Sequence, residues 1–163
     1  MSRLTAELRG RCKVFASRVI RLYIALPKER EEVRVLGKQL LRSGTSVDAH
    51  AREASRARSD AEFCSKLDGL LQEADESQLW LELLREDCGI TDPAIPTLHK
   101  ESDELLAIFT TMVAKMRRNG DGKQRLKTEK LKSKSEISAF QLFKISTFPS
   151  PRFPSQSSWG NSA

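Results

Sequence analysis

The chain has 163 residues, of which 39% are hydrophobic and 6% aromatic, and its net charge is +6. This length suits one domain with a proper core, and the scarcity of aromatic and clustered β-branched residues disfavours strands. No apolar run approaches the roughly 18 residues that a membrane span needs, and basic residues interrupt the N-terminus before a secretory signal can form. We therefore expect a cytoplasmic protein that does not contact membranes.

The cysteines and histidines indicate neither disulfide nor metal chemistry. Cys12, Cys64 and Cys88 are odd in number and form no CxxC pair, so we interpret them as small hydrophobic side chains within helices. His50 and His99 are isolated, without a second ligand at helical spacing, so we predict no metal site and no cofactor. Because no nucleophile–base pair or phosphate-binding glycine loop is present either, we expect no enzymatic activity.

The first predicted helix covers residues 4–26. Its apolar residues step by four and three along an a/d heptad seam, and they are Leu8, Cys12, Phe15, Val19, Leu22 and Leu26. Ile20 and Tyr23 widen this stripe, which indicates burial against more than one neighbour. Pro27 ends the helix and is a favourable first residue for the next one.

The second predicted helix covers residues 27–54 and has the small residues Ser43, Gly44, Thr45 and Ser46 in its middle. A glycine inside a helix costs roughly 1 kcal/mol relative to alanine, so a break here competes with a continuous helix that admits a close neighbour. The apolar seam keeps its phase across the gap, and no proline occurs, which favours one long helix. Ser43, Gly44 and Ser46 are therefore candidate packing or interface residues, with hydroxyls bonded to carbonyls one turn earlier.

Two further helices complete the predicted fold. Ser59 and Glu62 form a capping box that opens the third helix, and Gly89 ends it as a C′ glycine. The fourth helix is predicted over residues 97–118, with the Asn119-Gly120 dipeptide at its end. Four amphipathic helices with short connectors predict an all-α, up-down-up-down antiparallel four-helix bundle over residues 1–118.

The remaining residues, 119–163, have a different composition. They are rich in Ser and Pro and hold 8 Lys/Arg against 3 Asp/Glu, whereas residues 1–118 hold 20 against 19. The excess positive charge therefore lies mostly in this second region. Its composition predicts a disordered, basic C-terminal tail.

Basic side chains of the first two helices are candidates for contact with a nucleic-acid backbone. They are Arg11, Lys13, Arg18, Arg21, Arg52, Arg56 and Arg58. A basic tail would add a second nonspecific contact. The competing interpretation is a solvated face that the acidic third helix balances, either within one subunit or between subunits.

Acidic residues of the second and third helices have two possible interpretations, a metal-binding carboxylate cluster or structural contacts. Glu53, Glu73 and Glu76 resemble the carboxylate cluster of a di-iron bundle, but no His follows a Glu by three residues in this sequence. We therefore interpret them as capping, salt-bridging or interface residues. Trp80 is predicted to pack over the small residues 43–46, with a place in a subunit interface as the alternative.

Residues 39–47 (QLLRSGTSV) resemble a known family, and further matching stretches follow in order. These stretches are Arg52-Glu53-Ala54, Ser59, Phe63, Lys66-Leu67, residues 73–77 and residues 80–84. Over roughly residues 10–118 the chain resembles the four helix bundle protein family. This family is related to the bacterial ribosomal-RNA intervening-sequence proteins and to the accessory variability proteins of diversity-generating retroelements. The chain departs from the family at His50, where Asn is usual.

The resemblance implies an up-and-down bundle that assembles into a homo-oligomeric ring, often a pentamer, and most members have no assigned activity. The retroelement branch implies contact with nucleic acid and with a protein partner through a basic surface. We therefore expect a non-enzymatic oligomeric scaffold or adaptor that binds RNA or DNA weakly and nonspecifically. The alternatives are a protein–protein interaction module without a nucleic-acid role and, third, a carboxylate-bridged metalloprotein, which predicts bound iron or manganese.

Overall fold

The structure is a computed structural model; it describes the backbone of residues 3–146 and the side chains of residues 3–122 and 125–132. The described backbone is helical and contains no strand, and its helices are α1 (Ala6–Ala25), α2 (Glu31–Ser55), α3 (Asp60–Glu86) and α4 (Ala94–Ser146). The predicted all-α class with four helices is confirmed. The chain divides into two units, Met1–Asp121 and Gly122–Ala163.

Within the first unit, α2 lies between α1 and α3 and packs against both. The β-carbon positions of Gly37 and Gly44 in α2 face Leu26 and Val19, respectively, so α1 and α2 run antiparallel. The beginning of α4 closes the bundle against α3, where the hydroxyl of Ser102 donates to the carbonyl oxygen of an α3 residue at 2.9 Å. Because α1 and α3 do not pack against each other, they lie diagonally across the bundle.

The heptad seams supply the core. The fully buried side chains include Phe15, Leu22, Leu40, Leu67, Leu70, Leu81, Leu84, Leu98, Leu105 and Phe109. One part of the predicted seam is wrong, since Ile20 is 41% exposed and does not widen the buried stripe. The reason is positional: Ile20 lies on the outward flank of α1, beyond the side chains that face α2. Tyr23, predicted beside it, is half-buried against the core.

The connector between α1 and α2 is longer than predicted. α1 ends at Ala25, ahead of Pro27 as expected, but α2 begins at Glu31 and not at the proline. Side-chain contacts hold the intervening residues, because Nη1 of Arg30 donates to the carbonyl oxygen of Cys88 at 2.7 Å. This hydrogen bond attaches the connector to the C-terminal end of α3.

The ends of α3 follow the predicted signals. The hydroxyl of Ser59 accepts the backbone N–H of Glu62 at 3.0 Å. The Glu62 carboxylate in turn accepts the N–H of Arg58 at 2.9 Å, so the reciprocal bond of the capping box goes to the residue before the cap. At the other end Gly89 has φ of 67°, the left-handed conformation that suits glycine.

The start of α4 lies three residues earlier than predicted, at Ala94. Oδ1 of Asp92 accepts the N–H of Ala94 at 2.8 Å and so satisfies a donor in the first turn. Pro96 is accommodated in this turn because the first N–H groups of a helix have no partner within it. The proline therefore marks the beginning of the helix rather than a connector.

The predicted end of α4 at Asn119-Gly120 is wrong, because the helix continues to Ser146. No proline occurs between Gly120 and Ser146, and residues 123–132 are mostly strong helix formers. The cost of about 1 kcal/mol per glycine is therefore not enough to end the helix. Residues 119–146 are the continuation of α4, and residues 147–163 of the predicted tail lie outside the described residues.

Candidate functional site

A groove of about 560 Å³ runs between the N-terminal half of α1 and the C-terminal half of α2. Its lining holds four cationic side chains and a single carboxylate. The lining residues are Ala6, Arg9, Gly10, Lys13, Asp48, Arg52, Ser55 and Arg56. We call it the basic groove. The antiparallel pairing of α1 and α2 brings these residues together, because the first turns of α1 lie beside the last turns of α2.

Three of the four cations in the basic groove are free to bind an anion. Arg52 is engaged, since its Nε donates to Asp48 at 3.0 Å. Arg9, Lys13 and Arg56 are exposed, and none of their side chains forms a hydrogen bond or ion pair with another described residue. The charges of Arg52 and Asp48 offset each other, so the groove presents a net positive charge to solvent.

The floor of the basic groove is open. A β-carbon added at Gly10 would meet nothing within 4 Å, so this face of α1 has room for a bound group. The hydroxyl of Ser55 donates to the carbonyl oxygen of Ala51 at 3.0 Å and has no proton left to offer. Recognition in the groove would therefore rest on charge rather than on neutral donors.

Of the seven basic candidates predicted from the sequence, the structure brings Lys13, Arg52 and Arg56 together. Sequence reasoning left out Arg9, although it lies four residues before Lys13 and therefore on the same side of the helix. Arg58 lies between α2 and α3 and is almost fully exposed, with its Nε 3.7 Å from Glu62. It does not line the groove.

Arg11 has a different role from the one predicted. Its Nε donates to Glu101 at 2.9 Å and its Nη2 donates to Glu104 at 2.7 Å, both on α4. The hydrogen bond to Glu101 is the largest cause that raises the pKa of Arg11 above its ordinary value. The guanidinium is thus committed to joining α1 and α4.

Arg18 and Arg21 lie at a second cleft, of about 310 Å³, between α1 and the start of α4. They are exposed and have no ion pair with another described residue. The rest of the lining is mostly apolar and consists of Leu22, Ala25, Asp92, Ala94, Thr97 and Leu98. We call this the α1–α4 cleft; it is separate from the basic groove.

The small residues of α2 are packing positions. Gly44 faces Val19 of α1, with a would-be β-carbon 2.8 Å from the valine γ-carbons. Ser43 is buried, and its Oγ lies 2.9 Å from Oγ of Ser77 on α3. The hydroxyl of Ser46 donates to the carbonyl oxygen of Arg42, one turn earlier, at 2.9 Å. α2 is continuous, as predicted, and its small residues let α1 and α3 approach it on two sides.

The acidic candidates mostly join α2 to α3. Glu53 forms an ion pair with Lys66 at 2.7 Å, and this hydrogen bond is the main cause that lowers the pKa of Glu53. Glu76 lies 3.4 Å from Arg42 across the same helix pair. One carboxylate oxygen of Glu73 is buried and has no hydrogen-bond partner among the described residues.

Trp80 is half-buried against the core, and its indole N–H has no hydrogen-bond partner among the described residues. It lies about one turn beyond Ser77 on α3. Its packing over residues 43–46 stays a prediction.

The described residues do not meet the requirements of a metal site, a disulfide or a membrane span. No group of three or more His, Cys, Asp or Glu residues is placed to hold a metal ion there. The three cysteines are free thiols. No helix among the described residues is both long and apolar enough to cross a membrane.

The fold and the basic groove define an all-α helical bundle with a cationic groove between α1 and α2. The chain belongs to the 23S rRNA-intervening sequence protein family, whose model matches residues 7–111. It is similar to a solved protein of unknown function from the S23 ribosomal protein family of Bacteroides thetaiotaomicron. The two are 37% identical with a TM-score of 0.60, over 65% of this chain and 97% of that one. No curated protein matches the chain. The resemblance inferred from the sequence is confirmed.

Proposed function

We propose that this protein is a non-enzymatic, oligomeric, cytoplasmic scaffold or adaptor that binds RNA or DNA weakly and without sequence preference. The observation that carries the proposal is the basic groove, where Arg9, Lys13 and Arg56 have no partner among the described residues. Phosphate groups are the natural ligands of such unpaired cations, and phosphate contacts carry no sequence information.

The composition of the groove supports nonspecific binding. No aromatic side chain among the described residues lines it, so the described lining offers no platform on which a base would stack. No Asn or Gln among the described residues lines it either, so the two-bond contact that these side chains make to adenine is missing. The unpaired cations Arg9, Lys13 and Arg56 are side chains of the types that contact phosphate oxygens.

The region after the predicted bundle adds to this electrostatic attraction. Residues 119–163 hold 8 Lys/Arg against 3 Asp/Glu. Within their described part, Lys127 is exposed on the continuation of α4. Arg125 is exposed too, but its Nε lies 3.2 Å from Glu129. The family resemblance implies a ring of copies, often a pentamer. In such a ring several modest contacts would act together and raise the overall affinity through avidity.

Binding of a fluorescently labelled short RNA, measured by anisotropy, tests the proposal. We expect the variant with Lys13→Ala and Arg56→Ala to bind on the order of tenfold more weakly than the unmodified protein at low salt. The matched control carries Lys38→Ala and Lys100→Ala, which remove the same charge from exposed positions outside the groove. Equal losses in both variants would contradict a role for the groove.

The salt dependence provides an independent readout. Each lost phosphate contact lowers the slope of log affinity against log salt by about 0.7 to 0.9. The groove variant is therefore expected to have a shallower slope between about 50 and about 200 mM salt, whereas the control keeps the original slope.

A protein–protein interaction module without a nucleic-acid role is the second candidate. Exposed apolar side chains favour it, notably Ile24, which is 71% exposed on α1, and Val35 on α2. Such side chains are typical of contact surfaces when they lie close together. A protein that assembles but shows no salt-sensitive RNA binding would support this candidate.

A further inference from the structure

Opposite charges are concentrated on two helices that do not touch. α1 holds five Lys/Arg against one Glu, whereas α3 holds eight Asp/Glu against two Lys/Arg. These helices lie diagonally across the bundle and do not pack against each other. Their outward charges therefore cannot neutralise one another within a single copy.

The outward face of α1 is basic and apolar. Val14, Arg18, Arg21 and Ala25 follow one another at spacings of four, three and four, so they form a line along one side of the helix. All four are exposed, with Val14 49% accessible. The α1–α4 cleft lies beside this line, and its accessible apolar lining includes Ala25 and Ala94.

The outward face of α3 has the complementary character. Asp75, Leu79 and Glu86 follow at spacings of four and seven, again on one side of the helix. Leu79 is 46% exposed, although it is a large apolar residue. Asp75 is exposed, and its carboxylate has no hydrogen bond or ion pair with another described residue. Only Glu86 has a partner, its neighbour Arg85.

The two lines also match in length. Each spans twelve residues, and the eleven steps from first to last correspond to about 16 Å of helix. A leucine flanked by carboxylates on α3 is therefore complementary to an apolar cleft flanked by guanidinium groups on α1. The apolar centre and charged rim match the usual anatomy of a protein interface.

We propose that the α1–α4 cleft of one copy receives the outward face of α3 of a second copy. Arg18 and Arg21 contact Asp75 and Glu86 of that copy, and Leu79 enters the cleft. The contact joins two different surfaces, so it is heterologous and propagates from copy to copy until a ring closes. This inference rests on the proposed oligomeric function and names the surfaces that would build it.

Charge reversal with restoration tests the proposal by light scattering of the full-length protein. One variant carries Arg18→Glu and Arg21→Glu, a second carries Asp75→Lys and Glu86→Lys, and a third carries all four changes. We expect each of the first two to fall to the monomer mass of 18.4 kDa. The third is expected to regain the mass of the unmodified protein, because its reversed faces are again complementary. Restoration also excludes misfolding as the cause of the losses.

The control variant carries Lys38→Glu and Lys100→Glu, which reverse two charges elsewhere, and its mass is expected to stay unchanged. A multimer that both interface reversals leave intact would overturn the assignment and leave the cleft to a different acidic partner. Failure of the four-residue variant to reassemble would overturn it as well. An unmodified protein that is itself monomeric would overturn the oligomeric part of the proposed function too, whereas RNA binding through the basic groove is measured separately.

Discussion

Gly44 of α2 faces Val19 of α1 so closely that a β-carbon at Gly44 would lie 2.8 Å from both γ-carbons of the valine. Val19 is fully buried and branched at its β-carbon, so it has little freedom to move aside. The glycine therefore sets how closely α1 and α2 approach. The same helix pair forms the basic groove between the N-terminal half of α1 and the C-terminal half of α2. The close approach of the two helices therefore also positions the two walls of the groove.

Replacement of Gly44 by alanine is expected to destabilise the bundle. Overpacking of a rigid core costs about 1 to 3 kcal/mol, which outweighs the roughly 1 kcal/mol that alanine gains in helix propensity. We expect a lower urea midpoint for Gly44→Ala and recovery when Val19→Ala is added. Gly10→Ala is the control, since nothing lies within 4 Å of its β-carbon position, and it should be neutral or stabilising. An equal gain in stability for both glycine variants would contradict the close contact.

The hydroxyl pair of Ser43 and Ser77 forms a buried polar link between α2 and α3. Ser77 donates its single proton to the carbonyl oxygen of Glu73 at 2.7 Å, so its oxygen accepts from Ser43 at 2.9 Å. Single and double replacement by alanine should reveal a coupling free energy of about 0.5 to 1.5 kcal/mol in urea unfolding. Additive effects of the two replacements would show that the hydroxyls do not interact.

Replacement of Arg11 is expected to lower the stability of the bundle without a specific loss of RNA affinity. Because its guanidinium holds Glu101 and Glu104 of α4, Arg11→Ala is expected to lower the free energy of unfolding by about 1 kcal/mol. Its effect on RNA affinity should not exceed that of the charge-matched control Lys38→Ala. A specific loss of RNA affinity with unchanged stability would return Arg11 to the binding surface.

The thiol of Cys12 is expected to make the free energy of unfolding fall as the pH rises through the alkaline range. Burial is the main cause that raises the pKa of its thiol from 9.0 to about 12. The folded chain therefore holds this proton more tightly than the unfolded chain, so the contribution is complete below pH 9.0 and is lost as pH rises towards 12. The loss is about 1.4 kcal/mol per pH unit above the unfolded pKa.

Urea unfolding at mildly and strongly alkaline pH measures this contribution. The unmodified protein is expected to lose more stability between the two conditions than Cys12→Ala does, while Cys64→Ala, at a half-buried position, should resemble the unmodified protein. Parallel losses in Cys12→Ala and the unmodified protein would contradict the raised pKa.

The heptad periodicity predicts most of the core, because burial depends on the side of each helix that is apolar. Phe15 and Leu40 are buried for this reason. The periodicity misses Ile95, which is buried before the predicted start of the fourth helix. The end of α4 was predicted wrongly, because a single glycine such as Gly120 weakens a helix without forbidding it, whereas proline forbids its continuation.

The site was only partly predictable. Periodicity shows that Arg11 and Lys13 lie outside the buried stripe, but it does not show which neighbouring helix each one faces. That depends on the arrangement of the helices around the bundle, which places Glu101 beside Arg11 and Arg56 beside Lys13. The positions of α2 and α4 are therefore needed to tell the cations that are paired from those that are free.

The absolute mass of the full-length protein by light scattering, with and without a short RNA at low salt, tests the central claim most directly. We expect a mass several times 18.4 kDa that rises on addition of RNA. The rise should be lost in the variant with Lys13→Ala and Arg56→Ala but kept in the one with Lys38→Ala and Lys100→Ala. A monomer at micromolar concentration, or a multimer whose mass RNA does not change, would contradict the account of an oligomeric nucleic-acid adaptor.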